Sequence, residues 1–193
     1  MASSGNFGDS GDLWIYGYGS LMWRPGFEYE ERRLARVNGY HRSLCVYSHV
    51  HRGTPERPGL VLGLDRGGAC SGVAFRVAAR LRDETIDYLR ARELVTNVYR
   101  EARLRAVIDD GRQVEAIAYV VDLAHHQYAG RLPRPDLLRL VSRGVGVSGL
   151  NTEYVASTSR HLDEIGIEDA DLRWLTRQIE AERAIGDGDR DRA

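Results

Sequence analysis

The chain has 193 residues, 42% of them hydrophobic, which is enough for one domain with a sizeable core. Its 27 basic and 28 acidic side chains leave a formal charge of −1, without the basic excess that nucleic acid or an acidic membrane would require. All 27 basic residues are Arg, which removes the Schiff-base lysine of PLP chemistry and the lysine of a phosphate-binding P-loop.

Cys45 and Cys70 are the two cysteines and form no CxxC pair. No apolar run reaches the roughly 20 residues needed to cross a bilayer. The expectation is a reduced, soluble, cytoplasmic protein that acts on a small molecule, without nucleic-acid or membrane partners. Residues 1–12 are rich in Gly, Ser and Ala and lack a basic patch and an apolar centre, so they read as a disordered leader and not a signal peptide. A single domain is expected over 13–184, followed by a frayed polar tail over 185–193.

Leu13 to Tyr18 reads as a first strand running into Gly19-Ser20-Leu21. Two aromatics alternate here with two glycines, so the segment is either a cradle for an anion or a glycine turn with an aromatic core plug. Leu34 to Ser48 is one long bent strand or a hairpin through Asn38-Gly39. The loop His51 to Gly59 is dense in Gly, Pro and Arg, and its guanidinium groups suit either a substrate carboxylate or plain solvent.

Leu60 to Leu64 and Ser71 to Val77 read as strands joined by a hairpin at Asp65-Arg66-Gly67-Gly68. Asp83 to Val95 has the helical period, with Asp83 as its cap. Glu93 lies seven residues after Ile86 and four after Leu89, which sets a carboxylate on the apolar stripe. On spacing alone, a surface ion pair to Arg90 or Arg100 is the favoured account of it. Val98 to Asp109 and Gln113 to Val121 form a hairpin through Asp110-Gly111, and helices follow over Pro135–Arg143, Asn151–Ile165 and Asp169–Arg183.

His49, His51, His125 and His126 lack accompanying ligands at metal-site spacing. There is no Gly-x-Ser-x-Gly elbow. Gly144-x-Gly146-x-x-Gly149 follows a helical segment, which is the wrong context for a dinucleotide fingerprint and reads as a turn between helices.

Five motifs in order resemble the glutathione-specific branch of the ChaC-like gamma-glutamylcyclotransferases. They are Tyr16-Gly17-Tyr18-Gly19-Ser20-Leu21-Met22-Trp23, Arg52-Gly53-Thr54-Pro55 with Arg57-Pro58-Gly59, Gly72-Val73-Ala74-Phe75-Arg76, Arg92-Glu93, and Asn151-Thr152-Glu153-Tyr154. The resemblance implies an α+β fold, a small mixed and mainly antiparallel β-barrel flanked by helices. It implies that glutathione is converted to 5-oxoproline and cysteinylglycine by attack of the substrate's own α-amine, a lyase reaction that needs no cofactor and no metal. By position, Glu93 becomes the catalytic acid/base, and Ile15, Tyr16, Gly17, Tyr18, Gly19, Ser20 and Leu21 hold the γ-glutamyl group. Arg52, Tyr99 and Tyr154 are further candidates for substrate binding. The chain departs from the Gly-Gly-Tyr that follows the catalytic Glu in some members, having Leu94-Val-Thr-Asn-Val-Tyr99 instead. Two other functions fit the same scaffold: a cyclotransferase for another γ-glutamyl amine or acyl chain, and a non-catalytic binder of small molecules.

Overall fold

The structure is a computed structural model that describes residues 11–190, with side chains to 184. Most of the expected leader and the last three residues of the expected tail lie outside the described residues. The strands are β1 (Leu13–Gly17), β2 (Glu31–Ser48), β3 (Gly59–Val77), β4 (Tyr99–Ile108), β5 (Gln113–Val121), β6 (Val145–Gly146) and β7 (Gly149–Leu150). The helices are α1 (Arg82–Glu93), α2 (Arg134–Arg143), α3 (Asn151–Glu164) and α4 (Ala170–Arg190).

Five strands close a barrel in the order β1-β3-β2-β4-β5. β1 pairs antiparallel with β3, Tyr16 opposite Ala74, and parallel with β5, Ile15 opposite Ile117. The parallel seam closes the cylinder and leaves no exposed sheet edge there. β1 is buried along its whole length, as expected of a strand with paired neighbours on both sides. The barrel is the mixed, mainly antiparallel one that the sequence led us to expect.

By chain packing, the single expected domain divides into two compact units, one comprising residues up to Ser43 with Gly63–His125, the other Leu44–Leu62 with residues from His126 onward. In the first, Ile15, Tyr16, Val37, Leu64, Val73 and Phe75 are fully buried, and Phe27 meets Phe75 edge-on at 5.7 Å between ring centroids. In the second, Val141 of α2, Val155 and Leu162 of α3, and Leu175 of α4 form the core.

Several local expectations are corrected. The segment from Leu60 to Val77 is not a hairpin but part of one strand, β3. Gly67 and Gly68 do take positive φ, +97° and +67°, but His41 Nδ1 of β2 lies 3.1 Å from the Gly67 carbonyl, so the glycines bend the strand beside β2 and do not reverse it. For β2, of the two alternatives, the single long strand is the one observed, passing through Asn38-Gly39 with φ +84° at Gly39. The α1 N-cap is Leu81 and not Asp83, and no side chain caps it. Asp83 and Glu84 instead occupy the first turn, where their charges suit the helix dipole. α4 continues to Arg190, so residues 185–190 are helical. The glycine triplet after α2 is a hairpin of β6 and β7, with Gly146 opposite Gly149.

Candidate active site

The end of β1 is shaped by close approach. A Cβ on Gly17 would stand 3.0 Å from the Leu21 Cβ and 3.4 Å from the Met22 nitrogen, so a bare glycine lets the following 3₁₀ turn, Ser20–Met22, fold back onto the strand end. Leu21 and Met22 are buried and anchor that turn. Its first hydrogen bond runs from the Met22 N–H to the Gly19 carbonyl at 2.9 Å, and the N–H groups of Gly19, Ser20 and Leu21 precede it, where a helical turn supplies no acceptor of its own.

Arg42 of β2 fixes the orientation of this turn. Its Nε donates to the Tyr18 carbonyl at 2.6 Å and its Nη2 to the Ser71 carbonyl at 2.7 Å. In a trans peptide the C=O and the next N–H point in opposite directions, so the Gly19 N–H is aimed away from Arg42.

Ile15 and Tyr16 are fully buried, and the Tyr16 hydroxyl donates to the Cys70 carbonyl at 2.8 Å. Among the seven cradle candidates, these two side chains are therefore core material, and the half-exposed positions are Gly19 and Ser20.

Glu93 is the last residue of α1, on the face that buries Thr85 and Leu89, as the helical period implied. A carboxylate at the negative end of a helix is disfavoured. Burial pushes its carboxyl above the usual range, and the adjacent Arg92 cation opposes this, with Arg92 Nε 3.1 Å from Glu93 Oε1. The side chain is still 20% exposed, so protons can reach it. Among the described residues, the ion pair of Glu93 is to Arg92 and not to Arg90 or Arg100. Arg90 instead forms a two-pronged pair with Glu101 at 2.8 and 2.9 Å, and Arg100 lies 3.8 Å from Asp122. Tyr119 of β5, opposite Glu101 in register, has its hydroxyl pushed well up by burial and by the charges of Glu101 and Glu93.

Tyr99, half-buried at the start of β4, follows Glu93 through a short turn. Asn97 holds φ +56° there. Asn is among the few non-glycine residues that take the left-handed region readily, which accounts for a tight turn without glycine.

Arg92, which sequence reading noted only as the neighbour of Glu93, binds the turn itself. Its Nη2 donates to Ser20 Oγ at 3.0 Å, and its Nη1 reaches the carbonyls of Arg24 at 2.7 Å and Pro25 at 3.2 Å. The cradle and the carboxylate are thereby held together in one unit. The one signal in sequence was the Tyr88-to-Arg92 spacing, which puts the Tyr88 hydroxyl 3.1 Å from Nη1.

Arg52 and Tyr154 belong to the other unit and are brought together there. The Arg52 guanidinium lies 5.3 Å from the centre of the Tyr154 ring and donates to the Leu150 carbonyl at 3.1 Å. The Tyr154 hydroxyl accepts from the Leu62 N–H at 3.2 Å. Asn151 both donates to the Leu60 carbonyl at 2.8 Å and accepts from its N–H at 2.6 Å. An open cleft of about 460 Å³ in this unit is lined by Glu56, Arg57, Pro58, Arg139, Leu140 and Arg143, and none of the candidate site residues lines it. Among the described residues, no group of three or more His, Cys, Asp or Glu side chains could hold a metal ion.

A small closed barrel with a glycine turn at the end of its first strand, tied to a half-buried carboxylate at a helix terminus, is equipped for acid/base work on a small molecule. The chain belongs to the family described as ChaC-like protein, whose model matches residues 13–182. It is 34% identical over 167 residues to the glutathione-specific gamma-glutamylcyclotransferase of Escherichia coli K12, an alignment covering 86% of this chain and 72% of that one. It is 35% identical over 154 residues to glutathione-specific gamma-glutamylcyclotransferase 1 of Homo sapiens, covering 78% and 69%. In three dimensions it is similar to a solved gamma-glutamyl cyclotransferase specific to glutathione from yeast, with a TM-score of 0.78 at 21% identity over 88% of this chain and 96% of that chain, a likeness that establishes the fold.

Proposed function

We propose that the protein is a glutathione-specific γ-glutamylcyclotransferase, a lyase releasing 5-oxoproline and cysteinylglycine. The observation that carries this reading is Glu93, a carboxyl raised by burial, one-fifth exposed, and tied through Arg92 to the glycine turn at Ser20. The names of the bacterial and human relatives support glutathione as the substrate.

In this mechanism the turn holds the glutamyl end, and N–H groups at Gly19 to Leu21 bind its carboxylate or the oxyanion that develops on the γ-carbonyl. Holding the chain folded, so that the α-amine meets the γ-carbonyl carbon, converts the step into a pre-oriented intramolecular attack. Glu93 takes a proton from the α-ammonium. The amine nitrogen then bonds to the γ-carbon, and the C–N bond to cysteine breaks as Glu93 returns the proton to the leaving amine; the attacking nitrogen sheds its second proton as it becomes the lactam N–H, and the departing amine takes up that proton and leaves as an ammonium. A carboxyl above its ordinary range is suited to both halves of that exchange. Nucleophile and electrophile share one molecule, so no protein nucleophile enters. Cys45 and Cys70 are buried and not joined in a disulfide, which fits a reducing cytoplasmic setting.

The test is 5-oxoproline release from glutathione by purified protein, beside other γ-glutamyl amides. Release from glutathione alone is expected. Release only from another γ-glutamyl compound would transfer the reading to a sister cyclotransferase, and binding without release would leave a non-catalytic binder.

A further inference from the structure

The guanidinium of Arg92 has more to do than neutralise a neighbour. Its five N–H groups lie in one plane. Nη2 serves Ser20 Oγ; Nη1 serves the Arg24 and Pro25 carbonyls and the Tyr88 hydroxyl; Nε faces Glu93 Oε1. One planar group thus links the loop after β1, the penultimate turn of α1 and the carboxylate at its end.

The direction of the Ser20 bond matters most. Arg92 can only donate, so Ser20 Oγ is an acceptor in that bond and its own hydrogen is left to donate elsewhere. We propose that Arg92 is a positioning residue for the cyclisation, tying Glu93 to the Ser20 turn and presenting the Ser20 hydroxyl hydrogen to an anionic group of the substrate. This rests on the reading of Glu93 as the proton-transfer group.

Two alternatives give different outcomes. If Arg92 merely braced the fold, its loss would lower stability without changing how activity depends on pH. If it acted only as a charge, lysine would replace it. The charged and titratable groups facing Glu93 are Arg92 of α1 and Tyr119 of β5, with Glu101 of β4 beside Tyr119 and held by Arg90. Among these groups Arg92 is the cation adjacent to Glu93, so removing it raises the pH at which Glu93 loses its proton.

The experiment compares kcat, KM and the pH profile of 5-oxoproline release for wild type, Arg92→Gln, Arg92→Lys, Ser20→Ala and the Ser20→Ala/Arg92→Gln pair, with thermal melts as a folding control. For Arg92→Gln, kcat/KM is expected to fall about 10²-fold, the size of loss that small misplacement of reacting groups produces. Its acid limb is expected to move to higher pH. Arg92→Lys keeps the charge and loses the fork, so it should fall roughly 10-fold with its acid limb at the wild-type position. Ser20→Ala should cost much less in the Arg92→Gln background than in wild type.

Full activity in Arg92→Lys, an unmoved acid limb in Arg92→Gln, or additive losses in the pair would each overturn the proposal. If Arg92→Gln does not fold, Arg92→Lys and Ser20→Ala still decide it, because a wild-type kcat/KM in either overturns it. Failure of the underlying reading looks different: Glu93→Gln would then retain turnover.

Discussion

Two clusters that resembled each other in sequence, each an arginine beside a polar motif, differ in what they leave unfinished. Around Arg52, Asn151 and Tyr154, donors meet acceptors: Asn151 serves both backbone groups of Leu60, Tyr154 accepts from Leu62, and Arg52 donates to Leu150. Around Ser20 and Glu93, Arg42 and Arg92 bind carbonyls and a hydroxyl, while among the described residues the amides of Gly19, Ser20 and Leu21 have no backbone acceptor outside the turn itself and the carboxylate is out of its preferred ionisation range. Satisfied polar clusters stabilise and specify a fold. Groups held ready but unsatisfied are where binding and chemistry are expected.

The contrast is broken most decisively at Glu93. Replacing it by Gln is nearly isosteric and should lower turnover by ~10² to 10⁴, the usual worth of a general acid/base, while substrate still binds. Intact turnover, read as 5-oxoproline release, would mean that the carboxylate is as structural as Asn151.

Asn151→Ala attacks the satisfied cluster. Both residues of this pair are fully buried, so losing the amide strands the Leu60 N–H and C=O, at roughly 3 kcal/mol of unfolding free energy by the cost of unpaired buried groups. Denaturant titration measures it. Turnover per folded molecule should change far less than stability. Tyr154→Phe removes the acceptor of the Leu62 N–H while the ring stays, and should cost about 1 kcal/mol, the usual net worth of a hydrogen bond. A large loss of kcat/KM with unchanged stability in Tyr154→Phe would move that residue out of the scaffold and into substrate binding.

Much of this contrast was legible in the sequence, for reasons specific to each residue. Glu93 was legible in part: four residues after Leu89 a helical side chain shares its face, but spacing alone favoured a surface ion pair, and the Arg92-Glu93 motif of the resemblance singled the residue out. The glycine turn was legible because Gly17 and Gly19 flank an aromatic in a strand pattern. The role of Arg92 was not, because it binds backbone carbonyls and a hydroxyl up to 72 positions away, and a carbonyl carries no residue identity. Arg42, which holds Tyr18 and Ser71 at separations of 24 and 29, was invisible for the same reason. The hairpin expected at Gly67-Gly68 failed because two positive-φ glycines serve a strand bend as well as a turn, and only pairing with β2 decides between them.

The smallest expected effect separates the clusters by sign. The Glu93 carboxyl is raised in the folded protein, first by burial, with Arg92 opposing. The folded state therefore holds this proton to higher pH than the unfolded chain does, and the contribution of Glu93 to stability is lost as pH rises from the ordinary carboxylate range through the folded value. Gln carries no such penalty. Glu93→Gln should therefore be more stable than wild type at pH 7 and indistinguishable from it at pH 4, as thermal or denaturant unfolding at the two pH values would reveal. Every polar deletion in the Arg52–Asn151–Tyr154 cluster should instead destabilise at both. A Glu93→Gln protein less stable than wild type at pH 7 would place the carboxylate among the satisfied groups, because only a group held against its own preference can be removed with a gain in stability and a loss of activity.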